Sequence, residues 1–351
     1  MKLIKNVRLD GNIVDIAVDD GKITEIGRLS GEGVDFGGAR IFPGLIDTHS
    51  HGCIGMDTMD GELEKMAKWE KAQGVTTWYP TTTTMAREDI IRATMANINI
   101  EGGANIPGFH LEGPFINAKY KGAQNEKFIL EPDLELLSEC RNVKKISLAP
   151  EIPGSMEFIE NCGIVVSLGH TDTDYDTALL AFECGANCLT HTYNRMPGIH
   201  HRNPGPIGAA CMRGDVYAEL IADGKHIHEA SVRMLVNIIG EDRIVLISDS
   251  MSAAGLGDGE YVLSGLPVTV KDGYARTQDG ALAGSTSSLF ECVRVMLAWG
   301  YPTDTVIKMA SENPARLMGL NKGKIAVGYD ADFIIVDESF NLIASIVGGE
   351  L

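Results

Sequence analysis

The order of apolar and amphipathic segments predicts an α/β fold: a (β/α)8 TIM-type barrel with a small β-sandwich domain formed by both chain termini. Three observations carry this expectation. Eight β-like apolar runs recur between residues 41 and 250, with helical patterns between most of them. Eight strands alternating with helices over about 250 residues is the count of such a barrel. Both ends of the chain read as short strands. Polar side chains suited to metal ligation fall at the C-terminal ends of the runs, the face on which barrel loops build sites. A doubly wound open sheet is the alternative, and it gives no reason for eight.

The elements follow in order. Residues 14–27 alternate apolar and polar around Asp20-Gly21, a hairpin signature. Barrel strands are expected at 41–49, 75–83, 106–113, 144–151, 163–170, 187–194, 216–224 and 243–250. Helices are expected at 61–74, 172–185 and 228–240, the last two closing on Gly as a helix C-terminus favours. Residues 323–350 return to strand patterns. The expected division is 1–42 plus 321–351 for the small domain and 43–320 for the barrel.

Composition bounds the function. The chain has 351 residues, 44% hydrophobic and 22% charged, with a formal net charge of −18. Such acidity repels phosphate backbones and anionic lipid, so neither nucleic-acid nor membrane-surface binding is expected. One small anionic substrate in a local basic site remains compatible. Seven cysteines without a CxxC pair fit reduced thiols in the cytoplasm. The opening residues lack the apolar core of a signal peptide. No apolar run approaches the roughly 18 residues of a membrane span.

The chemistry-bearing residues are His49 and His51 (DTHSH), Glu112 (HLEGPF), His170 (SLGHT), His191 (LTHTYN) and Asp249 (LISDSM). Residues i and i+2 of a strand share a side, so both imidazoles of the HxH can reach one cation. A carboxylate inside the apolar run around Glu112 is costly unless paired or metal-bound. Each has an ordinary alternative alone: a solvated loop for the HxH, a cap or ion pair for Glu112 and Asp249, a hydrogen-bonded core edge for His170 and His191. Jointly that alternative needs five independent accidents at the same end of consecutive strands. Imidazole and carboxylate without thiolate suit Zn²⁺, Fe²⁺, Co²⁺ or Mn²⁺. Six ligands exceed one tetrahedral ion, so one or two divalent metals per chain are expected, two being bridged by Glu112. A basic cluster follows: Arg202 with His200 and His201 in HHRNPGPIG, then Lys225, His226 and His228 in DGKHIH. It points to recognition of a phosphate.

The PGLIDTHSHG opening, the HxH, the single Asp after strand eight and the split β-domain resemble the amidohydrolase superfamily. HLEGPF, SLGHT, LTHTYN, HHRNPGPIG, IADGKHIH, ISDSM and ALAGS are similar to its N-acetylglucosamine-6-phosphate deacetylase family. The resemblance covers nearly the whole chain. It implies Glu112, His170 and His191 as metal ligands, joined by His49 and His51 as in two-metal members, and Asp249 as catalytic acid/base. It also implies substrate contacts from Gln124, Asn194, Arg195, Arg202, His226, Leu282, Ala283 and Gly284, a small-molecule sugar phosphate as partner, and a homodimer. Two residues depart from the family pattern. Gln124 stands where some members carry a His that polarises the substrate carbonyl, and Arg195 where a small residue is usual. The galacto epimer, or a cyclic amide as in other amidohydrolases, is the alternative substrate; the basic loop and Glu112 on the third strand speak against the cyclic amide.

Overall fold

The computed structural model describes residues 2–351. Eight parallel strands run in one sheet: Leu45–Ser50, Val75–Thr82, Phe109–Glu112, Val143–Leu148, Val165–Leu168, Cys188–Leu189, Tyr217–Ile221 and Ile244–Ile247. Sheet order follows chain order, and the Asp249 N–H donates to the His49 carbonyl at 2.9 Å, bringing the eighth strand back to the first. Helices separate the strands in turn, from Leu63–Ala72 to Glu229–Ile239, and Leu289–Ala298 follows the eighth.

Period-two alternation sorts the side chains. Ile146 and Leu148, Ala218 and Leu220 face outward into the apolar layer beneath the helices. Lys145, Ser147 and Glu219, adjacent to them in sequence, point into the barrel, where all three are buried. The interior is therefore polar, and hydrogen bonds link parts of it: Ser147 Oγ lies 2.7 Å from Thr190 Oγ1 and 2.8 Å from His110 Nε2.

The chain ends build a second, seven-stranded sheet. Lys2–Leu9 pairs with Asn12–Asp19, which pairs with Lys22–Gly27 across the expected turn at Asp20-Gly21. On the other side Arg40–Pro43 pairs with Phe333–Val336, and that strand with Leu342–Ile346. Ile4, Val7, Ile16, Ile41, Phe333 and Ile346 form this sheet's own apolar cluster.

Two expectations need correction. The single run 41–49 is two strands: Arg40–Pro43 joins the terminal sheet and Leu45–Ser50 opens the barrel. They part at Gly44, where a Cβ would lie 2.1 Å from Thr76 Oγ1, so only glycine passes. The sixth strand stops at Leu189 rather than continuing to 194, because His191 and Tyr193 adopt left-handed backbone angles. A third sheet of Gly259–Leu263, Leu266–Lys271 and Tyr274–Thr277 was not anticipated. It follows the eighth strand, and Lys225 pins it down by donating to the Gly273 carbonyl (2.9 Å) and Thr286 Oγ1 (3.1 Å).

Candidate metal centre and active site

The ligands arrive where strand geometry delivers them. His49 lies within the first strand and His51 follows it; Glu112 ends the third; His170, His191 and Asp249 come two residues after the fifth, sixth and eighth. The last three have φ of 48°, 27° and 48°. Non-glycine residues reach this region at a cost of about 1–3 kcal/mol each. The strain turns each chain sharply off its strand at the point where its side chain joins the centre.

All four imidazoles direct Nε2 at Glu112. His49, His170 and His191 lie 3.2, 3.1 and 3.0 Å from its Oε1, and His51 lies 3.2 Å from Oε2. Asp249 Oδ1 is 3.5 Å from His49 Nε2 and 3.3 Å from His51 Nε2. Each Nδ1 is held from behind by an acceptor. These are Glu219 Oε2 for His49 (3.1 Å), the Thr81 carbonyl for His51 (3.2 Å), the Tyr120 carbonyl for His170 (2.9 Å) and the Asn194 carbonyl for His191 (3.2 Å). An acceptor behind Nδ1 fixes the proton there and leaves the Nε2 lone pair free. Two ligand triads result, His49–His51–Glu112 and Glu112–His170–His191, sharing one carboxylate.

The electrostatics agree with a cation site. Burial pulls the His49 pKa down, but the carboxylates of Asp249, Glu112 and Glu219 outweigh it and carry it up to about 9. His51 is raised in the same way by Glu112 and Asp249. Burial raises the Asp249 pKa, and the neighbouring imidazoles more than reverse this, so its carboxyl is held ionised. His49 Nε2 is buried with no hydrogen-bond partner despite its distance to Glu112. Four neutral-capable imidazoles converging on two carboxylates, one nitrogen left unpaired, fit a first-row divalent ion.

Glu219 was not anticipated from the sequence. Its carboxylate, fully buried, takes Nδ1 of His49, the backbone N–H of His191 (3.2 Å) and an ion pair with Lys145. Lys145 and the His49 imidazole hold its pKa down to about 2 against the effect of burial. The signal was present: Glu219 interrupts the apolar run VYAELIADG as Glu112 interrupts HLEGPF. Lys145 also donates to the Thr48 carbonyl at 3.3 Å, below the ligands and apart from them.

A pocket of about 300 Å³ opens over the centre. Of the expected substrate residues, Gln124, Asn194, Arg195, His226, Leu282 and Gly284 line it. Ala283 is fully buried behind that wall, in the core of the three-stranded sheet. Arg202 is exposed on its loop, its Nη1 2.7 Å from His201 Nε2, and does not line the pocket. The basic cluster is thus dispersed: His228 caps the helix Glu229–Ile239, Lys225 holds the third sheet, and only His226 faces the cavity. Gln124 donates to Glu112 Oε2 and accepts the Thr84 N–H at 2.6 Å, so its amide is committed to orienting the shared carboxylate.

The barrel thus brings an HxH, a Glu shared by two ligand triads and an Asp to one end, and the amidohydrolase family model matches residues 40–351. The chain belongs to the amidohydrolase family. This amidohydrolase is 36% identical over 359 residues to the N-acetylglucosamine-6-phosphate deacetylase of Lysinibacillus sphaericus, with 96% of this chain and 93% of that protein covered. It is also 36% identical to the N-acetylgalactosamine-6-phosphate deacetylase of Escherichia coli O157:H7, with 88% and 86% covered. Among solved structures it superposes on the N-acetylglucosamine-6-phosphate deacetylase of Thermotoga maritima with a TM-score of 0.91 at 34% identity, covering 99% of this chain and 98% of that one. The Mycobacterium smegmatis enzyme in complex with N-acetyl-D-glucosamine-6-phosphate gives 0.89 at 29% identity, covering 96% and 94%.

Proposed function

We propose that this amidohydrolase hydrolyses the acetamide of N-acetylglucosamine 6-phosphate to glucosamine 6-phosphate and acetate. The observation that carries the reading is the pair of ligand triads sharing Glu112, with Asp249 beside them, at the floor of a pocket walled by Arg195 and His226. Relatives at 36% identity over almost the whole chain act on such sugar phosphates by name. The barrel, residues 43–320, would hold the chemistry, and residues 1–42 with 321–351 the accompanying small domain. A homodimer in the cytoplasm is part of the proposal.

His170, His191 and Glu112 would hold one divalent ion, and His49 and His51 with Glu112 a second, Zn²⁺, Fe²⁺, Co²⁺ or Mn²⁺ by donor type. Such an ion supplies Lewis acidity, polarising a carbonyl and lowering the pKa of water toward about 7. Asp249, ionised by its imidazole neighbours, accepts the proton of the attacking water. The water oxygen bonds to the carbonyl carbon, the C–N bond breaks, and Asp249 returns the proton to the departing nitrogen. Gln124 steadies Glu112 throughout. His226, the Asn194-Arg195 turn and residues 282–284 receive the sugar phosphate, with Arg202 contributing from its exposed loop.

The test is acetate release from a panel of acetamido sugars with and without the 6-phosphate, in both epimers. The gluco phosphate should give the highest kcat/KM. Asp249→Asn should lower kcat by several orders of magnitude with a modest change in KM and metal content measured alongside. A preference for the galacto phosphate would move the assignment to the epimer. Equal rates on phosphorylated and bare sugars would remove the sugar-phosphate reading.

A further inference from the structure

The wall of the pocket carries a cation without a counter-charge. Residues 191–195 form a tight turn in which His191, Tyr193 and Arg195 all adopt left-handed angles, with φ of 27°, 77° and 52°. Hydrogen bonds lock this turn. The Asn194 N–H and Nδ2 both donate to the His191 carbonyl, at 2.9 and 3.2 Å, and the Thr171 N–H donates to the Arg195 carbonyl at 3.1 Å. The turn lays the Arg195 side chain against the loop that follows the third strand. A Cβ on Gly122 would lie 2.7 Å from Arg195 Nε and 3.1 Å from its Cδ, so the absence of a side chain at Gly122 makes room for this placement.

Arg195 is only half-buried and lines the cavity together with His226. Among the described residues its guanidinium makes no ion pair, whereas Glu112 and Asp249 in the same pocket are engaged by imidazoles. A guanidinium offers a planar fork of donors matched to phosphate oxygens and cannot be neutralised by losing a proton. Arg202 is outside this cavity.

We infer that Arg195 is a specificity-determining residue for the phosphate of the substrate, supplied by the same chain that supplies the metal ligands. The inference rests on the sugar-phosphate reading above and adds to it a fixed positive charge on the wall of the pocket. With His226 it makes a two-cation grip inside one pocket. Binding of the phosphate then does not depend wholly on the loop of Arg202.

The test compares kcat/KM on N-acetylglucosamine 6-phosphate and on N-acetylglucosamine for wild type, Arg195→Gly, Arg195→Lys and Arg202→Ala. Glycine is chosen because it accepts the left-handed backbone at this position. Arg195→Gly should reduce the ratio of the two values by about 10- to 150-fold, mostly through KM, the range of a charge-assisted bidentate contact. Arg195→Lys should restore part of the ratio. Inorganic phosphate should inhibit wild type competitively and Arg195→Gly more weakly. Thermal melts and metal analysis identify any variant that is misfolded, and in that event the lysine variant and the phosphate inhibition carry the decision. An unchanged ratio in Arg195→Gly, or a ratio lost in Arg202→Ala and retained in Arg195→Gly, would overturn the inference. A wild type that does not distinguish the two sugars would instead overturn the reading beneath it.

Discussion

Asp223 sits behind His226 much as Glu219 sits behind His49. Its Oδ1 accepts the backbone N–H groups of Lys225 and His226, and its Oδ2 lies 2.8 Å from His226 Nδ1. Burial lowers the His226 pKa, but the hydrogen bond and charge of Asp223 reverse it and leave the imidazole raised above its ordinary value. The imidazolium therefore persists above about pH 6.5. Its contribution to stability is complete below that value and is lost as pH rises through the raised pKa. Affinity for an anion should follow the same sign: KM for the phosphorylated sugar rises as His226 loses its proton. Asp223→Asn should move this rise to lower pH. The substrate phosphate also titrates, near pH 6, but identically for both proteins, so the difference between the two KM profiles isolates His226. Superimposable profiles would remove the role. The direct ligands were legible jointly, because each ends an apolar run and all fall at the same end of the strands, although each alone had an ordinary alternative. Gln124, Arg195 and Ala283 were legible only as positions, since whether a loop residue faces the cavity, lies behind its wall or holds another side chain depends on contacts distant in sequence.

At the scale of elements, the first strand decides how many ions the centre takes. Its HxH places both rings on one side, with centroids 5.2 Å apart. His49→Asn combined with His51→Asn should bind fewer divalent ions than wild type, while Glu112, His170 and His191 retain one. Metal analysis after reconstitution checks this; a wild type with one ion and no change in the double variant would show that the first strand holds none. The barrel was legible because eight strand patterns and their helices recur in order. The three-stranded insertion was missed, although Ser264-Gly265 and Asp272-Gly273 stand at its two turns with positive φ. Its strands face solvent on one side and bury only a small cluster, so the pattern lacks the apolar weight of the barrel runs. The buried pairing of Lys145 with Glu219 was not expected, for the opposite reason. A charge buried in a strand looks like a surface residue until its partner on another strand is known, and the two are 74 positions apart. Loss of Glu219 leaves the Lys145 ammonium buried without a counter-charge, at about 3–5 kcal/mol.

For the molecule as a whole, the centre ties together residues from five of the eight strands, so a bound ion should cross-link most of the barrel. Because only the folded chain assembles the ligands, an ion at about a thousand times its Kd adds roughly 4 kcal/mol of stability. A chelator should lower Tm by several degrees, and re-added metal should restore it. An unchanged Tm after verified removal of the metal would argue against the cross-link. Folding the metal-free chain asks four imidazoles and two carboxylates to share protons, and the raised pKa values of His49 and His51 record this. The terminal sheet imposes another condition, one of time. Lys2–Leu9 and Arg40–Pro43 emerge from the ribosome first, yet Phe333–Val336 and Leu342–Ile346 complete their sheet. With roughly 300 residues still to be made at about 5–20 per second, the early strands wait roughly 15–60 s with an unpaired edge. Throughout that interval Ile4, Val7, Ile16 and Ile41 lack the apolar cover that Phe333, Ile335 and Ile346 later provide. The nascent chain is then most exposed to wrong pairing at the end that was synthesised earliest.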